Sequence, residues 1–306
     1  MSQINWFPGH MHKARKEIAE VMSEIDLVIE VLDARLPRSS ENPLVNQLRK
    51  GKPVLKILNK QDLADPQITE EWLAHFNSQE GVRAIALDAS QQKLVKRLPE
   101  ICKQMIPTRA KAERPVRAMI MGIPNVGKST LLNAILGRKL AKVGNEPAVT
   151  RQQKRYTVQG GLALSDTPGI LWPKIEDPDS GYRLAASGAI KDTAIEHELV
   201  ATFAARFMLD HYADNLRARY RLTDLPEIAD DLLDVIGRKR GCLRPGGVVD
   251  RHKASEILIN EMRAGTLGRI SFETLTEWQQ KDEAARLAAL EAENAAATGE
   301  NSNDTH

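Results

Sequence analysis

The sequence predicts an α/β protein, a mostly parallel sheet with helices on both faces, followed by a small all-α domain. Three observations predict it. Short apolar runs of strand length alternate with polar, helix-compatible stretches over the first half of the chain. A glycine-rich turn at 122–130 joins one such run directly to a helical stretch. After Pro178 the strand signal stops and helical spacing takes over.

Taken in order, Met11, Ala14, Ile18, Val21 and Ile25 recur at three- and four-residue spacing, so the chain opens on a helix behind Pro8 and Gly9. Residues 27–32, 53–58 and 83–87 read as buried strands, and 67–80 as a helix between the last two. Residues 116–121 form another strand, followed by a helix over 129–136. The runs 156–158 and 162–164 flank Gly160 and Gly161 as a hairpin. In 183–213, Ile195, Leu199, Phe203 and Phe207 stand four apart and predict a helical segment. Residues 227–237 and 253–264 are further helices, the last stopped by Gly265. From Lys281 the chain is rich in Ala, Glu and Asn; it can start as a helix but has too little apolar surface to stay packed, and its end is expected to be disordered. The domain expectation is therefore 1–178, 179–280 and an acidic tail at 281–306.

Composition narrows the function classes. Of 306 residues, 42% are hydrophobic and 27% charged, ordinary globular proportions. Two cysteines, Cys102 and Cys242, cannot build a disulfide framework or a zinc site alone. With no signal segment and no apolar run of membrane-spanning length, a cytoplasmic chain without a membrane partner is expected, acting as a monomer. The formal charge is only +2, from 43 bases and 41 acids. That sum is misleading as an argument against nucleic acid. Residues 271–306 carry eight acids against two bases, so the first 270 residues hold a surplus of eight bases.

The segment Gly122-Ile-Pro-Asn-Val-Gly-Lys-Ser-Thr130 fits G-x-x-x-x-G-K-[ST] between a strand and a helix. Its glycines let Asn125, Val126, Gly127, Lys128, Ser129 and Thr130 turn backbone N–H groups toward phosphate oxygens, at the positive end of the following helix. Lys128 would reach the β- and γ-phosphates and the Ser129 hydroxyl would hold Mg²⁺. Asp166-Thr-Pro-Gly169 follows the next strand. Asp166 can hold the same Mg²⁺ through water and the Gly169 N–H can meet the γ-phosphate, although alone such a sequence is a common turn. Thr150, between the two motifs, is the candidate third Mg²⁺ group, or a solvated loop threonine.

Asn59-Lys-Gln-Asp62 follows the strand at 53–58. Asp62 could accept from guanine N1–H and the 2-amino group together, a pattern adenine lacks. Asn59 and the Lys60 stem would flank the base, and Asp88-Ala89-Ser90 would offer backbone N–H groups to guanine O6. GTP and GDP are therefore expected over ATP. The base loops precede the phosphate loop, the reverse of an ordinary small GTPase, so the domain reads as a circularly permuted P-loop GTPase. Permutation sends the Asp166–Gly169 segment straight into the helical domain, which suggests that nucleotide state pulls on that domain.

With these motifs assembled, the chain resembles the RbgA/YlqF family of circularly permuted GTPases. The resemblance rests on Trp6-Phe-Pro-Gly-His-Met11, Asp33-Ala34-Arg35, Asn59–Asp62, Gly122–Thr130, Asp166–Gly169 and Gly268-Arg-Ile-Ser-Phe-Glu273, and reaches to about residue 280. It implies hydrolysis of GTP in a late step of assembly of the large (50S) ribosomal subunit, on a precursor particle and its rRNA. The loop Asp88-Ala89-Ser90 is a loose form of the family pattern, and the tail lies outside it.

Where many GTPases carry a water-orienting glutamine, this chain has Ile170 and Leu171. The water must be oriented from elsewhere. The resemblance implies a catalytic histidine in the opening motif, which is His10; a helix-capping or RNA-contacting His10 is the competing reading. Asn125 is a candidate to hold K⁺ beside the β,γ bridge, or a plain tight-turn asparagine. Residues 101–160 hold twelve bases and two acids, and Arg238, Lys239, Arg240, Arg244, Arg251 and Lys253 form a second basic cluster. Such clusters suit phosphate backbones, and with few aromatics they suit folded RNA better than stacked single strands. An RNA-binding GTPase switch acting on another RNA, as in tRNA modification, is the alternative.

Overall fold

The computed structural model describes residues 9–137, 154–172, 175 and 177–300; for 9–14, 154 and 292–300 it gives the backbone alone. Six strands form one sheet in the order β3-β2-β1-β4-β6-β5. They are β1 (Leu27–Asp33), β2 (Val54–Asn59), β3 (Val82–Ala86), β4 (Val116–Met121), β5 (Lys154–Val158) and β6 (Leu162–Asp166). Every neighbouring pair is parallel except β5–β6, the expected hairpin about Gly160 and Gly161. Successive residues of a strand face opposite sides. Val31 and Ile57 accordingly enter the larger core, while Leu32 and Leu58 enter a smaller one under Trp72 and Phe76.

Local chemistry sets the helix starts. Asp65 accepts from the N–H groups of Gln67 and Ile68, with Pro66 in the first turn, so the helix Pro66–Asn77 begins just ahead of the predicted 67. Asp177 and Pro178 do the same for Pro178–Ser187. The opening helix is Gly9–Val21. It gives way to a 3-10 turn at Met22–Glu24 before Ile25, which is buried.

Two expectations change in the second half. Residues 183–213 are not one helix: Pro178–Ser187 ends on Gly188, at φ +84°, and a new helix runs His197–His211. Of the apolar positions at four-residue spacing, Ile195, Phe203 and Phe207 pack partly buried against the core and Leu199 is 41% exposed. Val200, Ala201, Ala204, Ala205 and Met208 are the buried face, packed against the helices Ala229–Arg240 and Arg251–Arg263. Close helix packing selects the alanines, and ranking positions by apolar bulk points to the neighbouring side. The helix Leu275–Glu300 crosses the expected boundary at 280 and continues into the tail whose end was expected to be disordered. Its first turns join the smaller core through Leu275 and Trp278, while Leu287 and Leu290 are exposed. Residues 301–306 lie outside the described residues.

Candidate nucleotide-binding site

The described motif loops open at the carboxyl ends of the parallel strands. Base loop 59–62 follows β2, 88–90 follows β3, the phosphate loop follows β4 and 166–169 closes β6. In an open parallel sheet this is the end that binds ligands.

The phosphate loop runs from Gly122 (φ +146°) through Asn125 (φ +59°) to Gly127 (φ +96°), which precedes the helix Lys128–Leu136. A Cβ at Gly122 would come 2.4 Å from the Val31 carbonyl oxygen, so only glycine lets the loop leave β4 so close to β1. Lys128 is buried, and its ammonium donates to the carbonyls of Gly122 (3.0 Å) and Ile123 (2.6 Å). Burial depresses its pKa to about 8, against the opposing pull of Asp166. A charge held this poorly solvated is primed for phosphate oxygens.

Asp166 ends β6 and is buried, and the Thr167 hydroxyl fixes the turn by donating to the Ile120 carbonyl (2.7 Å). Gly169 packs on the phosphate loop: a Cβ there would lie 2.8 Å from Pro124 Cα and 3.0 Å from Lys128 Nζ. The Ile170 N–H donates to the Gly122 carbonyl (3.3 Å). Ile170 and Leu171 are buried, so the position of a water-orienting glutamine is sealed by apolar side chains. Among the described residues no group of three or more His, Cys, Asp or Glu could hold a metal. The carboxylate of Asp166 and the hydroxyl of Ser129 are a hard oxygen donor set. That set fits Mg²⁺, which is commonly held by one or two carboxylates together with substrate phosphates. Thr150 lies outside the described residues.

The base loops show how the two halves of the site are tied. Asn59 donates its amide N–H to the Val126 carbonyl (2.7 Å), so its first role is to brace the phosphate loop; its Oδ1 is buried with no protein partner. Lys60, at φ +61°, donates to Asp33 Oδ2 (2.9 Å). Asp33 also takes two bonds from the Arg35 side chain, at 2.9 and 2.8 Å. Burial alone would raise the Asp33 carboxyl, but Arg35 and Lys60 hold it well below the usual range. Asp62 is exposed at the loop end. Gln61 donates to Gln91 (2.9 Å), linking this loop to the second one. There the Ser90 N–H, expected to serve guanine O6, donates to Asp88 Oδ1 (3.0 Å), so Asp88 shapes the turn.

Sequence reasoning missed Asn42, whose amide N–H donates to the Ile170 carbonyl (2.7 Å) while its Oδ1 caps the helix Pro43–Arg49. It also missed the use of Asn125. Its amide N–H donates to the Gly188 carbonyl (2.7 Å), at the end of the helix Pro178–Ser187, a bond that leaves the potassium expectation untested because a cation would take the amide oxygen. The only local signal is the asparagine itself, because its partner lies 63 residues away. His10 stands in the first turn of Gly9–Val21, and its side chain lies outside the described residues.

The second basic cluster is largely neutralised. Arg240 pairs with Glu261 (2.8 Å), Arg251 with Asp234 (2.7 Å), and Arg244 and Lys253 with Asp250 (3.2 and 3.8 Å). Arg238 and Lys239 are exposed and make no close ion pair among the described residues, although Arg238 helps Arg251 hold the Asp234 carboxyl below its usual range. The first cluster is also partly paired, since Arg109 and Arg117 both meet Asp26.

A family model described as a 50S ribosome-binding GTPase matches residues 117–236. A Bacillus cereus protein named ribosome biogenesis GTPase A is 45% identical over 92% of this chain and 97% of its own length. A Thermotoga maritima protein of the same name is 30% identical over 88% of this chain and 94% of its own. The GDP-bound structure of Thermotoga maritima YlqF superposes with a TM-score of 0.61 at 26% identity, over 85% of this chain and 99% of that one. The no-membrane expectation has one structural counterpart: among the described residues, no helix is long and apolar enough to cross a membrane.

Proposed function

The chain belongs to the ribosome biogenesis GTPase A family of circularly permuted GTP hydrolases, and from that premise we propose that it acts in a late step of 50S subunit assembly, contacts rRNA, and couples nucleotide state to its helical domain. The observation that carries the coupling is the Asn125–Gly188 hydrogen bond, which ties the phosphate loop directly to the second domain. A phosphate-dependent shift of this loop would move the end of the helix Pro178–Ser187.

Asp62 reads guanine, and Asn59 and Lys60 fix its loop against the phosphate loop and Asp33. Lys128 and the backbone N–H groups of 125–130 hold the β- and γ-phosphates, with the Gly169 N–H at the γ-phosphate. Mg²⁺ held by Ser129, Thr150 and Asp166 would supply charge compensation between the β- and γ-phosphates. The apolar seal at Ile170 and Leu171 supports a water-orienting group from elsewhere, and His10 is assigned that role. A neutral imidazole nitrogen can accept a hydrogen bond from the attacking water and so orient it.

Arg238 and Lys239, in no close ion pair among the described residues, are assigned the leading RNA contacts of the second cluster; Arg240, Arg244, Arg251 and Lys253 contribute only if their pairs open. Co-sedimentation with large-subunit precursor particles tests the reading. Retention with a non-hydrolysable GTP analogue and release with GDP is the expected result, and equal retention in both states would overturn the coupling.

A further inference from the structure

The motif Gly268–Glu273 is not explained by nucleotide chemistry, yet it crosses from the helical domain onto the base-reading loop. The Arg269 side chain donates from Nε to the Asp62 carbonyl (3.2 Å). The Ile270 N–H donates to the Leu63 carbonyl (2.8 Å). The Asp65 N–H donates to Ser271 Oγ (3.1 Å). Three consecutive residues of the strap thus hold residues 62, 63 and 65. Just before them, Gly265 meets the Leu63 side chain so closely that a Cβ would come within 2.5 Å of Leu63 Cδ2.

The other side of the strap is clamped by the helical domain. Asn215 donates to the Leu267 carbonyl (2.6 Å), and a Cβ at Gly268 would strike that same amide at 2.4 Å. The Tyr212 hydroxyl donates to the Ser271 carbonyl (3.2 Å) and accepts from the Ser271 N–H (2.9 Å). The strap then ends on Glu273, a buried carboxylate that accepts from the Ser39 N–H (3.0 Å) and hydroxyl (2.6 Å).

We propose that this strap sets the guanine-reading loop, with Arg269 and Ser271 as positioning residues for Asp62. Asp62 is exposed and sits at the end of a loop, so its carboxylate is aimed by its backbone. That backbone is fixed at the Asp62 carbonyl itself and at residues 63 and 65. A carboxylate that must accept two guanine hydrogens at once is sensitive to small displacements. Base discrimination therefore depends on the position of the helical domain, relayed by Tyr212, Asn215 and the strap. By reciprocity, whatever moves that domain changes guanine affinity by the same factor.

The proposal rests on Asp62 reading guanine, and the test separates the two. Competition against fluorescent GDP gives affinities for GDP and for IDP, which lacks the 2-amino group. In Arg269→Ala/Ser271→Ala the IDP-to-GDP preference shrinks about fivefold, on the scale of one or two hydrogen bonds, because GDP binding weakens more than IDP binding. Arg269→Lys, which retains a donor, restores part of the preference. Equal weakening of both nucleotides, or an unchanged ratio, overturns the proposal. Arg269→Ala alone removes only an exposed side chain and serves if the double variant unfolds. Asp62→Asn tests the premise: a switch in preference to XDP supports it, and no switch refutes base reading by Asp62, whatever the strap variants do.

Discussion

Gly169→Ala tests the contact proposed to separate GTP from GDP, that of the Gly169 N–H with the γ-phosphate. The added Cβ would lie 2.8 and 2.9 Å from Pro124 Cα and N, and 3.0 Å from Lys128 Nζ. The lysine end can swing, but the proline atoms are backbone within the phosphate loop. Ordinary carbon contacts begin at 3.4 Å, so the two loops must part by roughly half an ångström, and overpacking of this kind costs about 1–3 kcal/mol. The weakest tie across the gap, Ile170 N–H to the Gly122 carbonyl at 3.3 Å, breaks first. With GDP the 166–169 segment can back away and escape the strain. With GTP the Gly169 N–H must come in to the γ-phosphate, and the strain returns. Affinity for a non-hydrolysable GTP analogue should fall about 5- to 150-fold, the same 1–3 kcal/mol, while that for GDP stays within about twofold. Single-turnover hydrolysis should fall with it. Fluorescence competition for both nucleotides, with a melting curve as folding control, makes the measurement. A wild-type GTP-to-GDP affinity ratio in a folded protein would refute the reasoning.

Three further outcomes are expected. Lys128 must be charged to meet phosphate and has a pKa of about 8 in the free protein, so GDP affinity should be flat below pH 8 and fall about tenfold per unit above it. Over the same range the free protein should become more stable. Its unfolded chain holds this proton up to the ordinary lysine value of 10.5 while the folded one releases it near 8, and affinity independent of pH from 7 to 9 would count against both statements. Arg238→Glu/Lys239→Glu should weaken RNA binding and make the slope of log affinity against log salt shallower by about 2, whereas Arg251→Ala should leave the slope unchanged and lower the melting temperature by freeing Asp234. Glu273→Ala leaves the buried Ser39 hydroxyl and N–H without their acceptor and Arg183 short of a carboxylate. It should cost about 3–5 kcal/mol in a denaturant titration.

What was legible in the sequence is what depends on local spacing. The phosphate loop, the segment at 166–169 and the loop at 59–62 each carry their chemistry within nine residues or fewer, and the strands before them announce themselves by apolar runs. The apolar pair Ile170–Leu171 was legible as a missing glutamine for the same reason. Asn125 was not, because its partner is a carbonyl in another domain. Neither was the pairing of Arg240, Arg244, Arg251 and Lys253. Counting bases along the chain cannot show that Glu261, Asp234 and Asp250 are folded against them. The fully buried face of His197–His211 was not legible either, because alanines carry little hydrophobic weight yet permit the closest helix packing.

Permutation by itself suggests one link between nucleotide and helical domain, the chain running on from Gly169. Among the described residues, hydrogen bonds add others. Besides the covalent one, Asn125 ties the phosphate loop to Gly188, and the strap ties residues 62–65 to Tyr212 and Asn215. Arg263 joins the last two, since it donates to the carbonyls of Ala185 and Ala186 beside Gly188 and lies on the helix Arg251–Arg263 that leads into the strap. The helical domain is therefore bonded to both the phosphate and the base ends of the nucleotide site. A domain held at one end could follow the γ-phosphate and ignore the base. One held at both ends can shift at the phosphate loop only if the strap yields or the base loop moves with it, so under the proposed coupling loss of the γ-phosphate and release of guanine are linked.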